Sequence, residues 1–456
     1  MIHPERVAVI RDEPPRPGKY VLYWMQQSQR THCNHALEYA VRAADELKLP
    51  VLVGFGLDSA YPEANLRHFR FMLEGLEQTA GELASRGIGF VLRMGAPAET
   101  ALALEADAAL LVCDRGYLRH QREWRRKVAR EARGRVVRVE SDLVVPVETA
   151  SGKAEYAART LRPKIRKNLD RFLVPLKERR PRISWQGKDT PEGMDIRGND
   201  DLAAAMGLDS RVGTVSRHFT GGRSRALERF RDFMSGQLSG YHENSRRPEI
   251  NATSRMSPWL HFGQISPLEL ALEINGTIGE GRDAWLEQLV VRRELAANFT
   301  FYRQDYDSYA CVPGWARDSL AARTRVPGFA PYNPRQMEEG ETRDPYWNAA
   351  MFEMRASGFM HTYMRMYWGK KILEWSADPE TAFNLILEMN NRWFLDGRDP
   401  NSYAGTAWIF GVHDRAWPTR PGFGKVRSMT AGGLERKCDI KAYVQRVHAN
   451  AKKLKK

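Results

Sequence analysis

Cysteine is scarce in this chain of 456 residues: Cys33, Cys113, Cys311 and Cys438 are the only four, and they lie far apart. That excludes a disulfide scaffold and offers no metal-ligand spacing, so the reading is free thiols in a reducing compartment and no metal site. Long apolar runs are also missing. None approaches the roughly 20 residues of a membrane span, and mean hydropathy is −0.54. The opening Met1-Ile2-His3-Pro4-Glu5-Arg6 holds no signal-peptide core, so a cytoplasmic location is expected. No Gly-x-Gly-x-x-Gly follows a strand-like run, which argues against the common dinucleotide site. There is no internal repeat.

Acidic residues are outnumbered, 56 against 70 basic ones, for a net charge of +14. The imbalance is uneven. Residues 1–150 hold 21 basic and 20 acidic side chains, and the excess gathers at Arg159–Arg182 (ten against two) and Arg415–Lys456 (twelve against two). A polyanion such as DNA would suit these clusters, because neutralising phosphates releases counterions. A solvated, solubilising surface would suit them equally well.

At this length two or three domains are expected. In the first third, strand-like runs at Tyr20–Trp24, Val51–Phe55, Gly89–Leu92, Ala108–Cys113 and Val136–Val139 alternate with helical patterns. Crossover units and an open, mostly parallel sheet follow, and such sheets take ligands at the carboxyl ends of their strands. Between Ala150 and Gly222 the chain is polar and Gly/Pro-punctuated, with a basic helix expected near Thr160–Glu178. From about Ser224 helical patterns dominate. Ser266-Pro267-Leu268-Glu269 has the form of a capping box. The expected fold is therefore α/β plus all-α: a Rossmann-like N-terminal domain over residues 18–148, a linker with a basic helix over 149–222, and a helical domain over 223–456.

Two C-terminal stretches carry most of the chemistry. Met360 to Trp375 reads MHTYMRMYWGKKILEW, a helix without proline that sets Trp368 and Trp375 seven residues apart on one face, about two turns or roughly 10 Å. Asn390 to Asn401 reads NNRWFLDGRDPN, a helix end broken by Gly and Pro, so its carboxylates fall on a loop where they can meet a cation or ligand. Nine of the twelve tryptophans follow residue 258. Thr253, Ser254 and Ser257 stand just before Pro258, a pattern that suits a helix start where hydroxyls and free N–H groups hold phosphate, or a plain Ser cap.

The strings MRMYWGKKILEW and DGRDPNSYAGTAW resemble class II cyclobutane pyrimidine dimer photolyases, flavoenzymes that repair UV-damaged DNA with blue light. Tyr23-Trp24-Met25, Phe71-Met72-Leu73-Glu74-Gly75-Leu76, Thr253-Ser254-Arg255-Met256-Ser257-Pro258, Leu260-His261-Phe262-Gly263 and Arg292-Arg293-Glu294-Leu295 agree in order, from about residue 20 to about residue 445. The resemblance implies an antenna-type N-terminal domain, FAD in the helical domain, room for a second chromophore of unassigned identity, UV-damaged DNA as partner, and a monomer. It further implies an electron-carrying series Trp368, Trp347, Trp375, with Trp368 nearest the flavin. Helical tryptophans commonly just pack a core, and the matched motifs around all three favour the series.

By the same resemblance, Tyr241, Thr253, Ser254, Arg255, Met256, Ser257 and Arg293 bind FAD, Arg365 and Asp396 form a pair beside its ring, and Asp399 lies close by. Asn390 matches the amide near the reactive flavin nitrogen, able both to donate and to accept. Trp408 would pack on a flipped-out dimer, Met366 would line the same pocket, and Arg427 would enter the space left in the duplex. One position departs. Where the family has a substrate-contacting Glu this chain has Gln288, so binding is expected to survive while repair yield is affected; Glu287 would stand in if the register shifts by one.

Light-driven repair is thus the leading expectation. A cryptochrome-like photoreceptor would keep flavin and tryptophans without repair; the chain's end soon after the helical domain, without a long tail, speaks against it. A structural DNA-binding module would explain the basic clusters and leave the flavin-matched residues idle.

Overall fold

The computed structural model describes residues 2–188, 190–197, 206–324 and 332–454. By contact density these form two units, each built from separate segments: one from residues 1–152, 163–229 and 256–277, the other from 153–162, 230–255 and 278–456.

The first unit is organised by a six-stranded sheet. Its strands are β1 (Val7–Arg11), β2 (Tyr20–Trp24), β3 (Val51–Leu57), β4 (Gly89–Met94), β5 (Ala108–Asp114) and β6 (Val136–Val139), interleaved with α1 (His35–Leu47), α2 (Leu66–Ser85), α3 (Pro97–Glu105) and α4 (Arg119–Glu131). The order is β1-β6-β5-β2-β3-β4, with every pair parallel except β1–β6. Strands β2, β3 and β5 (YVLYW, VLVGFGL, AALLVCD) are buried along their whole length, as continuous apolar runs demand when helices cover both faces. The expected strands are all present. β1 was not expected: its apolar run, Val7 to Ile10, is short and half-exposed, and its place is set by antiparallel pairing with β6 at the sheet edge.

Strand order reverses between β2 and β5, where an open sheet leaves a crevice at its carboxyl end. Here the protein's own side chains occupy it. The Asp114 carboxylate accepts the N–H groups of Gln26, Gln27 and Ser28 at 2.8, 2.7 and 3.0 Å and pairs with Arg125, whose guanidinium lies 5.1 Å over the Trp24 ring. Nearby, buried Arg30 donates to Asp142 at 2.8 Å, to the Ser141 carbonyl at 2.9 Å and to the Gly263 carbonyl at 2.9 Å.

Two expectations need correction. The basic helix spans Ala158–Phe172 and ends well before Glu178, because Pro175 disfavours helical conformation in the residue before it. At Ser266 only half of the capping box forms: the Ser side chain caps Leu268 N–H, while Glu269 pairs with Arg223 at 3.0 Å.

The second unit is helical among its described residues. Its main elements are α5 (Arg293–Tyr302), α6 (Pro345–Ser357), α7 (Thr362–Trp375), α8 (Pro379–Trp393), α9 (Pro400–Ile409) and α10 (Ile440–Leu454). Each of α6 to α9 opens on an acceptor side chain (Asp344, His361, Asp378 and Asp399) that takes N–H groups of the first turn, satisfying donors that a helix start leaves open. No helix of the described residues is long and apolar enough to cross a membrane.

Arg30 is the buried tie of the sheet unit. Arg30→Met should cost about 3–5 kcal/mol, because it strips a buried carboxylate of its cation. Urea unfolding measures this, and a loss below about 1 kcal/mol would show that Asp142 is satisfied without Arg30.

Candidate flavin and DNA-lesion site

Helix α7 is the spine of the site in the helical unit. Arg365 donates to Asp396 at 3.0 and 3.3 Å, with its guanidinium 3.7 Å from the Phe394 ring centroid. Phe394 also meets Trp368 edge-on, centroids 6.1 Å apart. Cation and indole therefore share one aromatic ring, Phe394, which no sequence motif singles out. Arg suits this place because its flat guanidinium can stack on a ring and pair with a carboxylate at once.

The loop bearing Asp396 is folded hard against the end of α8. A Cβ at Gly397 would lie 2.8 Å from the Asn391 carbonyl oxygen, so only glycine permits this approach. Leu395 N–H donates to the Gly358 carbonyl at 2.8 Å, and the Asn391 side chain accepts from Asn390 Nδ2 at 3.1 Å and from Arg398 N–H at 2.9 Å. Asn390 is thereby oriented within 4% exposure. Asp399 caps α9, accepting Asn401 N–H at 2.8 Å.

The three tryptophans of interest are brought together. Asp344 caps α6 through Tyr346 and Trp347 N–H groups at 3.0 and 3.1 Å, and its other oxygen takes the Tyr367 hydroxyl of α7. This tie sets Trp347 against α7. Trp347 Nε1 donates to the Trp368 carbonyl at 3.0 Å, and its ring meets Trp375 at 5.2 Å. Trp375 is itself 4% exposed; half-buried Tyr332 packs on it at 5.0 Å.

The Thr253–Ser257 segment starts a helix of only five residues, Ser257–His261, with Met256 as N-cap. So short a helix adds little dipole, and anion binding there falls to side chains and N–H groups. Arg255 adopts φ +55°, its guanidinium 4.9 Å over the Phe359 ring, and Ser254 Oγ accepts from Trp285 Nε1 at 3.2 Å. Thr253 Oγ1, Asn251 Oδ1 and Trp368 Nε1 are buried with no hydrogen-bond partner among the described residues. Buried polar groups are normally paired, so these three fit an absent polar cofactor. Tyr241 is 8% exposed and packs edge-on against Phe233 at 5.6 Å, with burial pushing its hydroxyl up to about 12. Arg293 opens α5, half-buried.

Met366, Trp408 and Arg427 line one cavity of about 700 Å³ together with Tyr363, Trp417 and Lys437. Arg427 is held there by Asp414 at 2.8 and 3.1 Å and lies 4.1 Å over Trp417 and 5.8 Å over Trp408. Trp417 and Asp414 carried no sequence signal beyond a basic, aromatic neighbourhood. Gln288 does not line this cavity. It is exposed on a π-helical segment, Glu287–Arg292, whose wider turn rotates side chains away from helical register. Glu287 does not stand in for it, because its carboxylate is taken by Arg162 at 2.9 and 2.6 Å and by Arg292 at 3.4 Å.

These features are a cation–carboxylate pair with clustered indoles and a basic aromatic cavity, both served by α7. The DNA photolyase profile matches residues 21–182. A deoxyribodipyrimidine photo-lyase from Methanothermobacter thermautotrophicus is 47% identical, with 98% of this chain and 99% of that protein covered. One from Oryza sativa subsp. japonica is 39% identical over 99% of this chain and 92% of that protein. A bacterial class III photolyase from Agrobacterium tumefaciens shares the fold, with TM-score 0.74 at 21% identity, covering 94% of this chain and 86% of that one. The chain belongs to the DNA photolyase family. The family binds FAD in general, and the residues above fit that group.

His361 supplies a pH test of the α7 start. Its Nδ1 accepts Tyr363 N–H at 3.2 Å, and burial, with Arg446 and Arg255 nearby, holds its pKa down from 6.5 to about 4. Between those values the unfolded chain binds more protons than the folded one, so stability falls as pH drops from about 6.5 to about 4. The contribution is about 3 kcal/mol. His361→Asn keeps a capping oxygen without the titration, and should flatten urea midpoints measured between pH 7 and 4.5 relative to wild type; superimposable pH curves would remove His361 as the cause.

Proposed function

We propose that the chain is a light-dependent DNA lyase that splits cyclobutane pyrimidine dimers in UV-damaged DNA, with FAD as cofactor. The observation that carries this reading is that one helix serves both halves of the site. Arg365 and Trp368 of α7 meet Phe394, while Tyr363 and Met366 of the same helix line the cavity with Trp408 and Arg427.

Thr253, Ser254, Arg255, Met256 and Ser257, with Tyr241 and Arg293, are proposed to hold the cofactor's phosphates and adenosine half, and Arg365, Asp396, Asp399 and Asn390 its ring. When bound and reduced, FAD supplies the light-excited electron that opens the cyclobutane ring and takes it back afterwards. The rest falls to this chain. Arg365 provides positive potential for a developing anion, with Asp396 fixing its direction, and Asn390 offers an amide that can donate or accept. Trp368, Trp347 and Trp375 form the route by which electrons from solution reach the site. Trp408 and Met366 receive the extruded dimer, whose weakened stacking makes it the cheapest base to flip. Arg427 fills the vacated duplex position by exchanging Asp414 for the DNA.

The class II assignment and a monomeric protein rest on the resemblance of the motif strings, while a cytoplasmic location and the division into an antenna-type domain over 18–148, a linker over 149–222 and a catalytic domain over 223–456 rest on composition and patterning. The competing reading is a cryptochrome-like photoreceptor.

Repair of a UV-irradiated oligonucleotide by reduced protein should proceed in blue light and not in darkness; equal dimer content in both would favour the photoreceptor. Trp408→Ala should weaken damage-specific binding by about 1–3 kcal/mol through lost stacking, with flavin content unchanged. Unaltered affinity would take Trp408 out of the lesion site. Trp368→Phe should abolish flavin photoreduction, followed by absorbance under blue light with an external reductant, while chemically reduced protein still repairs. Normal photoreduction in that variant would mean that electrons enter elsewhere.

A further inference from the structure

Helix α7 carries two consecutive lysines with different surroundings. Lys371 is paired with Glu374 at 2.5 Å. Lys370 is wholly buried, and among the described residues its hydrogen bond goes to the Ile409 carbonyl, at 2.5 Å. Gly369 makes this reach feasible: a Cβ there would lie 2.1 Å from Ile409 Cδ1, so α7 and α9 approach closely at this point. The ammonium also lies 5.1 Å from the centre of the Trp408 ring.

A lysine in this position is costly to the fold. Its charge leaves water for one carbonyl and one ring face, with no carboxylate at ion-pair distance among the described residues, and burial pulls its pKa down to about 7. An apolar side chain of similar length would fill the volume without that penalty. What the ammonium adds is a grip on the last turn of α9, whose carbonyls attract a cation, and an attraction for the indole next to it.

We infer that Lys370 is a positioning residue for lesion recognition, holding Trp408 in the cavity wall from behind. The inference rests on the reading of that cavity as the dimer site. Lys370 itself does not line the cavity; it acts through Trp408. Of the groups acting on it, Asp414 favours its charge and Arg427 opposes it, both from the segment after α9. Asp414, held down by its pairing with Arg427 against the effect of burial, stays ionised as the pH passes 7. Lys370 is therefore the group of this cluster that loses charge there, and the hold on Trp408 weakens as pH rises.

The test uses the full-length, FAD-loaded protein and two duplexes identical except for a single thymine dimer, with Kd measured by fluorescence anisotropy. Lys370→Met should raise Kd for the damaged duplex about tenfold and leave Kd for the intact duplex and FAD content unchanged, with a melting temperature no lower than wild type. Lys370→Arg, keeping the cation, should restore part of the preference. In wild type, the ratio of the two Kd values should decline between pH 6 and 8.5, and in Lys370→Met it should be flat. Undiminished preference in Lys370→Met, or a wild-type ratio independent of pH, would overturn the inference. The wild-type pH profile decides the matter even if both variants fail to fold. Absence of any preference for damage in wild type at every pH would instead count against the cavity as the dimer site.

Discussion

The half-buried pair of Arg365 and Asp396, with the guanidinium stacked on Phe394, is the contact on which the site depends. It joins the first turn of α7 to a loop that has no regular structure of its own and would otherwise be free to choose among many conformations. Pairing alone would not suffice, since removing two charges from water offsets much of their attraction. The ring beneath the guanidinium, the glycine that allows the loop to approach α8 and the Asn391 side chain that bonds both Asn390 and Arg398 supply the rest.

The indoles depend on the same helix. A single carboxylate, Asp344, caps α6 and takes the Tyr367 hydroxyl of α7, so Trp347 cannot shift relative to Trp368 without losing a cap. This tie also pushes Tyr367 well above the ordinary phenol range, through burial and the adjacent charge of Asp344. It is thus held as a neutral donor. Packing, capping and redox geometry are one arrangement here, and separate changes to them will not be independent.

The sequence was legible where a pattern is local. Strands buried on both faces announce themselves as continuous apolar runs, and α7 as a proline-free stretch. β1 was not legible, because its place comes from pairing with β6. Nor was the π-helical turn at Glu287–Arg292, which sends Glu287 to Arg162 and leaves Gln288 exposed. Phe394, Lys370 and Trp417 escaped notice for a related reason: their importance lies in what stands next to them in space. Motif strings named Arg365, Asp396, Trp368 and Trp408, and the structure adds what holds each of them.

The account is tested most directly by the coupling between Arg365 and Asp396 in FAD binding. Affinity of apoprotein for FAD would be measured for wild type, Arg365→Ala, Asp396→Ala and the double variant, giving a thermodynamic cycle. If the pair acts as one unit that fixes the loop, either single change should produce most of the loss, with a coupling energy of about 1–3 kcal/mol. Losses that simply add would contradict this, and would show two side chains contributing separately to a loop held by other means.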